Sequence, residues 1–157
     1  MNLAVQVLDT AKERGLMIAT AESCTGGMVA AALTDIPGSS AVVERGFVTY
    51  TNRAKIDMLG VCEATLDAWG AVSEEVAREM AAGALSHAPV DLTVSITGIA
   101  GPGGSEFKPE GRVCFGIADA KGAISETVEF GTLGREAVRA AARDHALTLL
   151  LSRLKGL

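Results

Sequence analysis

The stretch TAESCTGGMVAAAL, Thr20 to Leu33, places Ser23, Cys24, Thr25 and the glycines 26 and 27 between an apolar run and an alanine-rich segment of helical character. A hydroxyl at a strand-to-helix turn has free backbone amides beside it. Glycines let those amides approach a ligand without side-chain obstruction, so the turn has the makings of an oxyanion site. The competing reading is that Ser23 or Thr25 simply caps the helix. A hydroxyl nucleophile also needs a base. His87 stands at a helix end before Pro89, and His145 in the terminal helix beside Asp144, so a Ser-His-Asp arrangement is disfavoured.

Lysine and tyrosine remain as proton carriers. Lys55 follows Tyr50 by five residues, just past a strand end, where the strands of an α/β sheet converge on a crevice. A lysine desolvated there loses its proton near neutral pH, and a phenol can relay one. The plainer alternative is an exposed lysine on a helix and a half-buried core tyrosine. The segment Gly98 to Gly111 holds five glycines and two prolines, too constrained for an ordinary hairpin and of a kind that binds ligands, unless it is merely flexible. It contains neither GK[ST] nor GxGxxG, which weakens nucleoside triphosphate and dinucleotide readings. Arg135, Arg139 and Arg143 recur every four residues and share one helix face. That face is either solvated, with Glu136 and Asp144 offsetting the repulsion, or an anion site near the glycine loop.

The elements that must position these groups alternate. A helix is expected over Asn2 to Arg14, stopped by Gly15, then a strand over Leu16 to Ala21 and a helix from Thr25 to the Pro37-Gly38 pair. Val42 to Thr51 reads as a strand and Asn52 begins a short helix. Ser73 with Glu74 and Glu75 starts a helix running to about Ala88. A strand over Asp91 to Thr97 precedes the glycine loop. Arg112 to Asp119 and Ile124 to Phe130 form an antiparallel hairpin around Lys121-Gly122, and Arg135 to Leu154 is a long helix. The expected fold is a three-layer α/β/α domain with a central mixed sheet.

With 157 residues the chain suits one domain covering 1–157, with one core. Aromatics are only 4 %, so the interior is built from small and aliphatic side chains and helices can approach the sheet closely. The net charge of -5, without a basic patch, argues against direct nucleic-acid binding. Cys24, Cys62 and Cys114 form no CxxC pair and have no histidine at ligand spacing, which reads as reduced thiols in a cytoplasmic protein, with no disulfide and no metal site. No leader and no membrane span is expected.

Five ordered blocks, TAESCTGG (20–27), FVTYTNRAKIDMLGV (47–61), GAVSEEVAREMAAGA (70–84), SITGIAGPGG (95–104) with KPEG (108–111), and GREAVRAAA (134–142), resemble the carboxy-terminal domain of the competence-damage protein CinA, a domain also found alone as nicotinamide mononucleotide (NMN) deamidase. The resemblance implies hydrolysis of the NMN carboxamide to nicotinic acid mononucleotide and ammonia in pyridine-nucleotide salvage, without metal or cofactor, by a homo-oligomer. It implies Ser23 as nucleophile, Lys55 and Tyr50 in proton transfer, and amides near Thr25, Gly26 and Gly27 receiving the oxyanion. It further implies that Thr97, Gly98 and the glycine loop with Gly101 line the pocket and that Arg139 meets the phosphate. Two positions depart from the family pattern: Leu133-Gly134-Arg135 stands where an acid is usual in a GDR-like segment, and Glu110 where a small apolar residue is usual. A non-catalytic ligand- or partner-binding module and an amidase for another substrate are the alternatives.

Overall fold

The computed structural model describes residues 2–105 and 107–157. Helix α1 (Leu3–Arg14) begins where the Asn2 side chain accepts from the Ala4 amide and ends at Gly15, which takes a left-handed conformation. It is followed by β1 (Ile18–Glu22), α2 (Met28–Thr34), a short 3-10 turn, β2 (Val43–Val48), α3 (Asn52–Leu59), α4 (Glu63–Trp69) and α5 (Glu74–His87). Strands β3 (Leu92–Gly98), β4 (Arg112–Asp119) and β5 (Gly122–Glu129) precede α6 (Arg135–Gly156).

The strands form one mixed sheet in the order β2-β1-β3-β4-β5. Strand β1 runs parallel to both β2 and β3, while β3, β4 and β5 are antiparallel neighbours. Chain reversal across β1 means that β2 lies to one side of it and β3 to the other, with α2 on one face of the sheet and α5 on the opposite face. Such an arrangement opens a crevice at the carboxyl ends of the parallel strands. The α/β layering expected from the sequence is present.

Alternation along the strands divides the interior into two faces. Ile18, Leu92, Val94 and Ile96 join Val7, Leu8, Val29, Val138 and Leu150 of α1, α2 and α6 in one cluster. Ala19 and Ala21 face the other way, against Leu59, Val76 and Met80 of α3 and α5. On that second face β3 presents hydroxyls that bond backbone carbonyls: Thr93 donates to Ala81 O, Ser95 to Ala77 O and Thr97 to Ala71 O. Small residues permit this closeness. A Cβ added at Gly116 would stand 2.4 Å from Ala77 O, and one at Gly83 only 1.9 Å from Leu59 O.

Several boundaries differ from expectation. Helix α2 begins at Met28 rather than Thr25, because Gly26 (φ 56°) and Gly27 (φ 104°) take positive φ and form a turn instead of a helical start. Strand β1 reaches Glu22, β2 stops at Val48, and β5 starts at Gly122, paired with Asp119 across a two-residue turn. The unexpected α4 has Leu66 as its one buried residue, too weak a period to read. The expected glycine loop includes residue 106, which lies outside the described residues. Among the described residues no helix is long and apolar enough to cross a membrane.

Candidate active site at the strand ends

Three strand ends meet at one point. Ser23 directly follows β1, and its amide donates to Ile96 O of β3, which fixes the hydroxyl beside the neighbouring strand. Thr49 and Tyr50 follow β2, and the chain then turns into α3, where Thr51 Oγ1 accepts from the Ala54 amide. Lys55 stands on the first turn of that helix with its side chain directed inward. It is only 1 % exposed, although lysines seldom lie so deep. Its Nζ lies 3.1 Å from Ser23 Oγ, 3.0 Å from Thr49 O and 3.3 Å from Tyr50 O.

Ser23, Tyr50 and Lys55 share a cleft of about 370 Å³ with Cys24, Asn52, Thr97, Arg135 and the glycine loop from Gly98 to Ser105. That volume suits a small-molecule ligand. Gly98 is obligatory in the wall, since a Cβ there would stand 2.7 Å from Val113 Cγ2. Cys24 is an unsuitable nucleophile beside Ser23: burial pushes its thiol up to about 12, with Glu22 adding to the rise, against smaller opposing effects from its own amide, Arg139 and Lys55. The thiol therefore remains protonated at neutral pH.

The turn after Ser23 is held from two sides. Glu22, fully buried, accepts from Thr25 Oγ1 at 2.6 Å, Val29 N at 2.9 Å and Ala30 N at 3.1 Å. From the other side Arg139 donates through Nε to Cys24 O at 3.0 Å and through its second terminal nitrogen to Thr25 O at 3.3 Å. Glu22 thus occupies the mouth of α2, where the sequence suggested an anion, and Thr25, Gly26 and Gly27 do not line the cleft. The Gly26 amide donates to Ser23 O and that of Met28 to Thr25 O, whereas those of Thr25 and Gly27 find no backbone acceptor among the described residues.

Two other residues are placed differently from expectation. Arg139 lies behind the turn, and it is Arg135, one helical turn earlier, that lines the cleft, donating to Gly101 O and to Tyr50 Oη, both at 2.8 Å. Tyr50 is 58 % exposed, and the group it turns toward Lys55 is its backbone carbonyl, while its phenol sits at the rim. Thr97 lines the cleft with its hydroxyl already committed to Ala71 O. Both histidines are elsewhere: His87 Nδ1 is 2.7 Å from Gly83 O, and His145 packs on the Phe115 ring. Among the described residues no cluster of three or more His, Cys, Asp or Glu could hold a metal. Sequence reasoning missed Glu22, hidden at a strand end, and Asn52, whose place three residues before Lys55 on α3 was the available signal.

The CinA C-terminal domain model matches residues 1–154. The chain belongs to this family. "Nicotinamide-nucleotide amidohydrolase PncC" of Escherichia coli strain K12 is 55 % identical over 151 residues, covering 96 % of this chain and 92 % of that protein. A "CinA-like protein" of Chloroherpeton thalassium is 60 % identical over 119 residues, 75 % of this chain but only 28 % of that longer protein. Among solved structures, the competence/damage inducible protein CihA from Agrobacterium tumefaciens superposes with a TM-score of 0.93 at 48 % identity, covering 98 % of this chain and 93 % of that one. The CinA C-terminal domain fold thus accounts for the whole sheet, and the cleft lies within it.

Proposed function

We propose that the protein is a nicotinamide-nucleotide amidohydrolase, converting NMN and water to nicotinic acid mononucleotide and ammonia in pyridine-nucleotide salvage. The observation that carries this reading is the 3.1 Å approach of Lys55 Nζ to Ser23 Oγ inside the cleft. A neutral amine has two N–H donors and one lone pair. The carbonyls of Thr49 and Tyr50 are placed to accept the two donors, which aims the lone pair at the Ser23 hydroxyl.

In this mechanism Ser23 Oγ attacks the carboxamide carbon as Lys55 takes its proton. The tetrahedral oxyanion is received at the start of the turn after Ser23, where Cys24 lines the cleft while Thr25, Gly26 and Gly27 do not. Lys55 then returns the proton to the departing nitrogen, the C–N bond breaks, and ammonia leaves. Water, deprotonated by the same amine, attacks the ester carbon, the bond to Ser23 Oγ breaks, and Lys55 returns the proton to that oxygen, freeing nicotinic acid mononucleotide and Ser23. In this reading Arg135, which lines the cleft, meets the substrate phosphate, its planar fork suited to that anion. Arg139 supports the turn, and Tyr50 holds Arg135 at the rim.

The reading includes a cytoplasmic location, supported by three free cysteines, and a homo-oligomeric state without direct nucleic-acid contact, which light scattering and a DNA-binding titration check. The central test incubates purified protein with NMN and follows ammonia release, with Ser23→Ala and Lys55→Ala as controls. Turnover by the wild type and its loss in both variants is expected. Binding of NMN without turnover would favour a ligand-binding module, and turnover of another amide with NMN inert would favour a different amidase.

A further inference from the structure

The glycine loop is braced by two charged side chains of its own KPEG segment. Lys108 Nζ donates to Trp69 O and Val72 O, both at 2.6 Å, fastening one flank of the loop to the α4–α5 connection. Glu110 fastens the other. It is 9 % exposed, and its carboxylate accepts from the Gly103 amide through Oε1 at 2.7 Å and from the Gly134 amide through Oε2 at 3.2 Å. Gly103 belongs to the cleft wall, and Gly134 immediately precedes Arg135, the first residue of α6. The carboxylate lies directly beneath the loop, since a Cβ on Gly101 would stand 2.5 Å from its Cδ and Oε1. The carbonyl of that same Gly101 accepts from Arg135.

We infer that Glu110 is a positioning residue for the nucleotide end of the substrate: by joining the Gly103 and Gly134 amides it sets the glycine wall and the Arg135 guanidinium at the spacing that receives the phosphate. This inference rests on the amidohydrolase reading. The two bonds of Glu110 run to the glycine wall and to the start of α6, whereas Ser23 and Lys55 are carried by β1 and α3, so it acts on substrate binding and leaves the acyl transfer alone. A small apolar residue at 110 offers no acceptor for either amide. A glutamine keeps one carbonyl oxygen and turns an NH2 donor toward the other amide, so it preserves shape and breaks one of the two bonds.

The test uses Glu110→Gln and Glu110→Val in the full chain. Each is expected to raise KM for NMN by about tenfold or more, the effect of losing a hydrogen bond to a charged group, with kcat held within about threefold. Coupling to Arg135 supplies a readout that mere structural weakening would not move. The KM increase of the Arg135→Ala, Glu110→Gln double variant should fall well short of the product of the two single increases. Amide exchange supplies a second readout, independent of turnover: the Gly103 and Gly134 amides should exchange faster in Glu110→Gln while the core strands keep their protection. Unchanged KM in the Gln variant, a fall in kcat alone, fully multiplicative effects, or unaltered exchange at both glycines would each overturn the inference. If the wild type leaves NMN intact, the amidohydrolase reading fails, and the exchange measurement together with inorganic phosphate binding by wild type and Glu110→Gln still decides whether the clamp exists.

Discussion

Replacing Gly83 with alanine sets two effects of opposite sign against each other. In an isolated helix the change stabilises by about 1 kcal/mol, because glycine loses more backbone freedom on folding. In this protein α5 passes so close to α3 that the new Cβ would stand 1.9 Å from Leu59 O, 2.8 Å from its carbonyl carbon and 3.1 Å from its Cα. Both partners are backbone, so no rotamer can relieve the overlap, and the helices must part by about 1.5 Å to restore a normal C···O contact. Overpacking of this kind costs about 3 kcal/mol at the upper end of its range. The clash wins, leaving a net loss of about 2 kcal/mol, or about 4–8 °C in Tm for a chain of this size. Leu59 lies one turn beyond Lys55 on the same helix. Moving α3 by that amount takes Nζ out of hydrogen-bonding reach of Ser23 Oγ, for which a rate loss of about a hundredfold is expected. Thermal melts and ammonia release from NMN measure the two consequences. Gly156→Ala, with nothing within 4 Å of the added methyl, is the control and should be neutral or slightly stabilising. A Gly83→Ala protein that melts at or above the wild-type temperature with full kcat would refute the claim that this helix crossing holds Lys55 in place.

Glu22→Ala leaves Thr25 Oγ1 and the Val29 and Ala30 amides without their acceptor in a buried site, and is expected to lower stability in urea by about 3 kcal/mol or more; a loss under about 1 kcal/mol would mean that the turn re-forms without it. The Asp119 carboxylate accepts from Arg153 Nε at 2.5 Å and from the Lys121 amide at 2.8 Å; the Arg153 bond, followed by that amide, holds its carboxyl below the ordinary value of 3.8 against the opposing effect of burial. As pH falls the unfolded carboxyl binds its proton first, so this contribution is complete above the ordinary value and disappears as pH drops through the native one. The stability gap between wild type and Asp119→Asn, measured by urea unfolding, should therefore be larger near neutral pH than at about pH 3, and a constant gap would contradict the assignment.

Local signals in the sequence carry the element order well. The Ser73-Glu74-Glu75 start of α5 is legible because capping is local, and Ser73 Oγ does accept from the Val76 amide. Gly26 and Gly27 were equally visible, yet their positive φ was not, so the turn read as the first turn of a helix. The pairing of Ser23 with Lys55 was suggested by two strand ends and by family resemblance, while the depth of Lys55 depends on α3 packing over the sheet. The arginines show where sequence reasoning stops. Periodicity places Arg135 and Arg139 on one face of α6, but which one enters the cleft depends on where that helix crosses the strand ends. Glu22 is hidden for the same reason: a carboxylate ending a strand looks solvated until α2 closes over it.

The most direct measurement is mass analysis of NMN reactions quenched within a single turnover, with peptide mapping of any acylated residue. An adduct of the nicotinate mononucleotide acyl group on the peptide containing Ser23, absent from Ser23→Ala and failing to form in Lys55→Met, is the predicted result. A Ser23→Ala protein that hydrolyses NMN at the wild-type rate, or an adduct mapped to another residue, would contradict it.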